Sequence, residues 1–360
     1  MKTMTNRERL LTACRLGVPD RIPRAIGFEH GFAANVKRLL KKENPNLDVE
    51  NLDLAGYFKS DPRWVYIRPT NKKAAFHKYF DRGDLEFDEW GRGRKWDDTR
   101  HYAEYFYPLA RAETISEIES YPWPDYFEKY RYAGIAGEVA GLHDRGFAVL
   151  GGPSAFFEIA WQLRSMERLM EDMLLNPEMA QAVYDRILER NVRFARECAL
   201  AGVDILYLGD DVAMQNGIMM SLELWRKYLG KGMRAMINAA REINKNILVW
   251  YHSDGDIAPL VPDLIDVELN ILNPVQPECC DAAFLKKTYG DKLAFWGGLG
   301  VQSVLPFGSP EEVREHVRRQ IEVLGAGGGY VIAPSHILER DTPWENLKAM
   351  VGAIDEFGQY

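Results

Sequence analysis

The chain has 360 residues, of which 46% are hydrophobic and 27% charged, so it can bury the core of one large domain or of two ordinary ones. Its formal net charge of −8, without a sustained basic run, argues against nucleic acid or an anionic membrane as the main partner. Four cysteines are too few for a disulfide framework, and the charged start "MKTMTNRERLL" resembles no secretory or membrane-spanning segment, so reduced thiols and a cytoplasmic location are expected.

Short apolar strands recur along the chain, each followed by a polar or glycine-rich break and a helix-like segment. An eighth strand is expected between residues 52 and 67, in addition to seven readable ones at 22–28, 147–151, 204–208, 247–251, 267–272, 293–296 and 329–333. Amphipathic helices are predicted over 176–202 and 308–328. The second begins with Ser309 as N-cap, Pro310 at the first helical position and Glu312 completing a capping box.

Nearly continuous apolar strands that alternate with helices indicate a parallel sheet covered on its outer face, and about eight such units predict a closed (β/α)8 barrel. No G-x-G-x-x-G follows the first strand, which disfavours an open dinucleotide-binding fold. The region 69–132 is rich in Trp, Tyr, Asp and Arg and lacks the alternation, so it is predicted to be an insertion or cap. The whole chain, 1–360, is predicted to be a single barrel domain.

Polar residues concentrate directly after the predicted strands, as "EHG" at 29–31, "GPS" at 152–154, "DD" at 210–211, "HSDG" at 252–255, "NPVQPE" at 273–278, "GG" at 297–298 and "PSH" at 334–336. A parallel barrel brings these carboxyl ends to one face, where barrel enzymes build their active sites. Each also has a structural interpretation: Asp210 and Asp211 could cap the next helix, and Asn273 with Pro274 could be only a turn.

In "WYHSDGD", residues 250–256, an extended backbone would place His252 and Asp254 on one face. They would then aim two ligand-type side chains at one place. The alternative is that Asp254 and Gly255 form a turn, with His252 as a hydrogen-bonded neighbour.

The stretches "HSDGDIAPLVPDLIDVELNILNPVQPECCDAAFLKKTYGDKLAFWGGLGVQS", "GSPEEV", "GGGYVIAPSH" and "PWENLKAM" resemble the uroporphyrinogen decarboxylase superfamily. The resemblance implies a (β/α)8 barrel and one of two chemistries. True decarboxylases act on uroporphyrinogen, whereas zinc methyltransferases move methyl groups to or from a corrinoid protein, coenzyme M or tetrahydrofolate.

The residues favour the methyltransferase branch. The segment "AIGFEHGFAAN" has no arginine between Arg24 and Arg38, whereas an eight-carboxylate tetrapyrrole needs basic groups there. Where the methyltransferase pattern has His-x-Cys-Gly and a second Cys near the last strand, this sequence has His252-x-Asp254-Gly255 and "APSH", so both cysteines are replaced. The resemblance therefore implies zinc on His252, Asp254 and His336 with an open position. Cys279 could be a fourth ligand or a packed thiol, and loss of the metal is left open.

The predicted function is methyl transfer between a small methylated substrate, such as a methoxylated compound or a methylamine, and a corrinoid carried by a partner protein. A homodimer is left open. His30 or Glu29 is expected to supply a proton to the leaving atom, beside the catalytic His252, Asp254 and His336. Substrate binding is assigned to Glu29, Asp210, Asp211, Asn273, Gln276 and Glu278. The alternatives are a uroporphyrinogen decarboxylase-like carboxy-lyase and a non-catalytic ligand-binding barrel.

Overall fold

The computed structural model describes residues 3–72, 75–80, 83–97 and 103–360. Strands in these ranges are Pro62–Trp64 (β1), Glu86–Phe87 (β2), Gly93–Trp96 (β3), Ala103–Phe106 (β4), Ala148–Ser154 (β5), Ile205–Gly209 (β6), Ala213–Met214 (β7), Gly217–Ile218 (β8), Leu248–His252 (β9), Ile271–Asn273 (β10), Ala294–Leu299 (β11) and Tyr330–Pro334 (β12).

The α-helices in the same ranges are Asn6–Cys14 (α1), His30–Glu43 (α2), Leu54–Tyr57 (α3), Ile115–Glu119 (α4), Ile135–Asp144 (α5), Phe157–Arg164 (α6), Met166–Leu175 (α7), Pro177–Ala201 (α8), Leu222–Trp225 (α9), Lys231–Arg241 (α10), Val261–Asp266 (α11), Ala282–Tyr289 (α12), Val304–Phe307 (α13), Pro310–Leu324 (α14) and Trp344–Phe357 (α15). Both long predicted helices are confirmed as α8 and α14, and α14 has the capping box predicted from Ser309 and Glu312. None of the helices in the described ranges combines the length and apolar character needed to cross a membrane.

Within the described residues, seven parallel strands form one sheet in the order β1-β5-β6-β9-β10-β11-β12. The parallel α/β barrel predicted from the alternation is thereby confirmed, and β1 is the strand expected between residues 52 and 67. The strand predicted at 267–272 is shorter, Ile271–Asn273. Its first residues instead form the turn after α11, where Leu269 N donates to Leu264 O and Glu268 has a φ of 68°.

The segment 22–28 takes the eighth position but is not a regular strand. It makes isolated parallel bridges from Arg24 to Ile332 and from Phe28 to Leu338, and Asp61 N donates to Arg24 O, so it lies between β12 and β1. On its other side two amides bond to side chains: Arg24 N donates to the Asp61 carboxylate and Ile26 N to Ser60 Oγ, whereas Ala25 N donates to Ile332 O of β12. A regular ladder cannot form from amides that side chains have already engaged.

The alternation of buried residues along each strand produces two apolar layers. Ala148, Leu150 and Trp250 belong to an inner cluster, whereas Val149 and Val249 pack outward with the helices. Helix α1 contributes Leu10 and Ala13 to the inner cluster, so it packs against the interior of the barrel.

The predicted insertion at 69–132 contains a three-stranded antiparallel sheet, β2-β3-β4. Its Trp90, Tyr121 and Tyr126 share one continuous hydrophobic core with the outer layer of the barrel. The description of 1–360 as one domain with a cap at 69–132 stays a prediction.

Candidate active site

The register of the parallel sheet brings the polar ends of three neighbouring strands together. His252, the last residue of β9, pairs with Gly209 of β6 on one side and with Asn273 of β10 on the other. The residues that directly follow these strands are Asp210 and Asp211 after β6, and Asp254 two positions after β9. The site is therefore built at the carboxyl ends, as a parallel barrel requires.

The imidazole of His252 is held in one orientation by Asn273. The buried Asn273 amide donates from Nδ2 to Trp296 O (3.0 Å), which turns its Oδ1 toward Nδ1 of His252 (2.6 Å). An amide oxygen only accepts, so His252 Nδ1 carries the proton. In its neutral form the ring therefore presents the lone pair of Nε2 to the site.

Two carboxylates face this lone pair. The His252 Nε2 atom lies 3.7 Å from Asp211 Oδ1 and 3.8 Å from Asp254 Oδ1, and one ligand atom from each of the three residues lies within 4.8 Å of the others. Asp254 Oδ1 is buried without a hydrogen-bond partner in the described residues. Burial raises the pKa of the Asp254 carboxyl, an effect that Asp211 increases and His252 opposes.

A tight turn fixes the direction of Asp254. Gly255 has a φ of 90°, and a Cβ atom there would lie 2.7 Å from Met214 O. Its N–H donates to Gln276 Oε1 (3.0 Å), and the Gln276 amide in turn donates to Gln302 Oε1 (3.1 Å). Gln276, expected to bind substrate, thus also supports the turn.

His336 lies at the edge of this arrangement. Its ring centroid is 6.4 Å from that of His252, its side chain is 44% exposed, and its Nδ1 is 3.7 Å from Glu339 Oε1. The structure therefore brings together two residues of the predicted metal set, His252 and Asp254, and places Asp211 beside them rather than His336.

Two cavities meet at His336. One, of about 620 Å³, has a floor of aromatic rings and includes His252, Asn273 and His336 in its wall. The aromatic rings are Trp64, Tyr207, Trp250 and Trp296, which pack against one another with centroids 4.8–5.9 Å apart. The second cavity, of about 500 Å³, is more polar and is bordered by Asp254, Gln276 and His336.

Asp210 and Glu158 form an acidic layer next to the cluster. Asp210 is buried, and its Oδ1 accepts from Phe156 N (2.7 Å) and Glu158 N (3.0 Å), so it caps the start of α6, which precedes it in the chain, rather than the helix that follows it. Burial and Glu158 raise the pKa of Asp210 to about 8. Burial, followed by the Asp211 charge, raises the pKa of Glu158 to about 7.

Glu158 was not among the predicted site residues. The signal that could have identified it is its position in the first turn of α6, four residues after the "GPS" strand end. A side chain there lies at the same end of the barrel as the strand ends.

Glu29 and His30 lie at the start of α2. The Glu29 carboxylate accepts from Gly31 N and Phe32 N, both at 2.8 Å, and pairs with Arg340 at 3.2 Å. These backbone bonds and the Arg340 pair lower the pKa of Glu29 to about 2. His30 is exposed and lies outside the lining of both cavities, so neither residue faces the cluster at His252.

Glu278 and Cys279 are the remaining residues that the sequence analysis assigned to the site. Glu278 Oε1 accepts from Ser303 Oγ (2.6 Å) and Gln302 N (3.2 Å), which joins the loop after β10 to the loop after β11. Cys279 is partly exposed, and within the described residues it is not part of the group formed by Asp211, His252 and Asp254.

Comparison with known proteins decides the family. Residues 107–357 match the family model of uroporphyrinogen decarboxylase (URO-D). The chain belongs to the URO-D family. Its resemblance to that family, inferred from the strand-end motifs, is thereby confirmed.

The relatives of this chain include both methyltransferases and a decarboxylase. The chain is 25% identical over 209 residues to the methylcobamide:CoM methyltransferase MtaA of Methanosarcina barkeri, covering 58% of each protein. It is 24% identical over 257 residues to a methylated-thiol–coenzyme M methyltransferase of Methanosarcina mazei, covering 69% of this chain and 65% of that one. It is 22% identical over 264 residues to a uroporphyrinogen decarboxylase of Mannheimia succiniciproducens, covering 69% and 70%. These relatives are all enzymes, as expected for this chain.

A solved structure described as a methyltransferase from Methanosarcina mazei has the same fold. The two align with a TM-score of 0.69 over 98% of this chain and 99% of the other, at 18% sequence identity. This likeness supports the barrel fold over 98% of the chain.

Proposed function

We propose that this chain is a corrinoid-dependent methyltransferase that moves a methyl group between a small methylated oxygen or nitrogen compound and a corrinoid carried by a partner protein. The observation that supports it most is the position of His252, which lines the aromatic-floored cavity and belongs to the cluster with Asp211 and Asp254. An apolar cavity for the methylated molecule thus adjoins polar groups that act on its heteroatom.

The charges at the site argue against uroporphyrinogen as substrate. Arg63 is the arginine that lines the 620 Å³ cavity, and its guanidinium is engaged by Asp53 Oδ2 (2.9 Å) and Ser60 O (2.9 Å). Asp211 and Asp254 add negative charge next to His252. A substrate with eight carboxylates would be repelled here, because no unpaired cation in the described lining offsets those charges.

The cluster fits the divalent metal that the sequence pattern implies. His252 Nε2 presents a lone pair, and the buried Asp254 Oδ1 lacks a partner in the described residues, as expected of donor atoms that a cation satisfies. His252 and Asp254 would hold the ion. When bound, zinc would supply a Lewis acid for the heteroatom that gains or loses the methyl group.

The remaining steps belong to the residues of this chain. The rings of Trp64, Trp250 and Trp296, which pack edge to face, provide an apolar floor that contacts the methylated molecule and excludes water. An oxygen or nitrogen that loses its methyl group takes a proton, and His336, at the junction of the two cavities, is positioned to donate it. His336 thus takes the role predicted for His30 or Glu29.

The corrinoid partner would dock over the open mouth of the barrel. Exposed apolar side chains border the two cavities there, with Phe307 78%, Tyr66 73% and Ile337 43% exposed. Apolar groups around an active-site mouth are typical of a protein-binding surface.

The test uses absorbance to measure methyl transfer to cob(I)alamin from a panel of methoxylated aromatic compounds and methylamines. His252→Ala should abolish transfer, whereas His30→Ala, the matched control outside both cavities, should retain it. If the purified protein instead forms coproporphyrinogen from uroporphyrinogen at an enzymatic rate, the methyltransferase proposal is wrong and the carboxy-lyase alternative stands.

A further inference from the structure

We propose that the metal centre of this chain is a one-histidine, two-carboxylate site formed by Asp211, His252 and Asp254, with Asp211 as the third ligand in place of His336. The ligand set is inferred from the geometry of the cluster. Its consequence for the substrate class rests on the proposed function.

The distances suit a shared ion better than direct hydrogen bonds. His252 Nε2 is 3.7 Å from Asp211 Oδ1 and 3.8 Å from Asp254 Oδ1, beyond hydrogen-bonding range. Two ligands bound to one ion at about 2.0–2.2 Å with tetrahedral angles lie about 3.3–3.6 Å apart. Shifts of a few tenths of an ångström would therefore bring each carboxylate to that separation from His252 Nε2, and one oxygen atom of each carboxylate already lies within 4.8 Å of the other.

Each of the three ligands is held in place by a hydrogen bond or by a turn of the backbone. Asn273 holds His252 through Nδ1, which is the arrangement usual for a metal-binding histidine. The Gly255 turn aims Asp254, whose Oδ1 is buried without a partner in the described residues. Asp211 Oδ1 accepts the backbone N–H of Asp254 at 2.9 Å, which connects the loop after β6 to the loop after β9.

His336 does not match the same geometry. Two imidazoles on one tetrahedral ion would have ring centroids about 5 Å apart, given bonds of about 2.0–2.1 Å. The observed separation from His252 is 6.4 Å, and the His336 ring instead approaches Glu339 in a partly exposed position. His336 is therefore free to contact substrate.

The charge balance also favours Asp211. Two carboxylates and a neutral imidazole neutralise a divalent ion, as do the histidine and two thiolates of the methyltransferase pattern, whereas two histidines and one carboxylate would leave one positive charge. Oxygen ligands make the centre harder than a thiolate site. Under the proposed function, the heteroatom that this site engages is oxygen or nitrogen rather than sulfur.

The experiment uses the purified chain alone, with no corrinoid and no methyl donor, so its result is independent of the proposed function. Zn²⁺ is titrated into chelator-treated protein, its stoichiometry is measured by mass spectrometry of the metal, and its Kd is obtained by competition with a chromophoric chelator. X-ray absorption then counts the imidazoles around the bound ion.

We expect one Zn²⁺ per chain with one imidazole in its shell. Asp211→Asn, whose amide oxygen can still accept from Asp254 N–H, should weaken the affinity at least about 100-fold, because loss of a ligand exceeds the effect of an outer-shell change. His336→Gln and Asp341→Asn should change it less than about threefold. Asp341 is the matched control, since it is an exposed carboxylate that borders the 500 Å³ cavity and lies outside the cluster.

Three results would each overturn the inference: two imidazoles around the zinc, an Asp211→Asn protein with unchanged affinity, or no stoichiometric metal. A protein that binds zinc as expected but transfers no methyl group would leave this site intact and refute the proposed function instead.

Discussion

The Asn273→Ala variant tests whether zinc binding depends on the orientation that Asn273 gives to His252. Asn273 is 5% exposed, and its amide makes two hydrogen bonds, from Nδ2 to Trp296 O (3.0 Å) and between Oδ1 and His252 Nδ1 (2.6 Å). At about 1 kcal/mol net for each bond, with an additional term for the space left behind, the variant should lose about 2–3 kcal/mol of unfolding free energy. The loss of the acceptor at Nδ1 should weaken zinc binding about 10–100-fold.

The matched control is Asn346→Ala. Asn346 is 2% exposed, and its Nδ2 donates to Leu305 O (2.9 Å) and Gly308 O (2.8 Å), so its removal also costs two buried hydrogen bonds. Chemical unfolding should show a similar loss in both variants, but only Asn273→Ala should lose zinc affinity. Histidine ¹⁵N NMR of the metal-free wild type should show the proton on Nδ1 of His252. A proton on Nε2, or equal zinc affinity in the two variants, would refute the reasoning.

The remaining predictions concern pH, backbone strain and a helix cap. Glu158→Gln should leave the free energy of unfolding unchanged near pH 4.5 and raise it by up to about 3 kcal/mol above pH 7. The reason is that the folded protein keeps the Glu158 proton to about pH 7, whereas the unfolded chain releases it near pH 4.5. Chemical unfolding in the presence of a chelator measures this difference. A larger gain at low pH would contradict this sign. Gly255→Ala should lower the free energy of unfolding by about 1–3 kcal/mol, because the φ of this residue is 90° and the new Cβ would lie 2.7 Å from Met214 O. Gly137→Ala, whose Cβ would have no atom within 4 Å, should not lower it. Glu29→Ala should lower the free energy of unfolding by about 1 kcal/mol, because α2 loses its N-cap, and should leave methyl transfer unchanged. If the variant folds but loses activity, Glu29 has the substrate role predicted from the sequence.

The sequence by itself determined the elements whose signals are local. Amphipathic periodicity and the capping box of Ser309 and Glu312 were sufficient for the two long helices, and apolar runs were sufficient for most barrel strands, because caps and side-chain periodicity act over a few neighbouring residues. The period of two from His252 to Asp254 likewise predicted that these side chains aim at one place, and the structure brings them together.

Tertiary structure alone decided the partners at the site. Asp211 and His336 both follow barrel strands, and no pattern in the sequence distinguishes them, yet only Asp211 joins the cluster with His252 and Asp254. The same applies to the segment 22–28, whose amides bond to the Asp61 and Ser60 side chains rather than to a regular ladder. The physical reason is that sheet register and loop direction set side-chain convergence, and both depend on contacts between residues far apart in the chain.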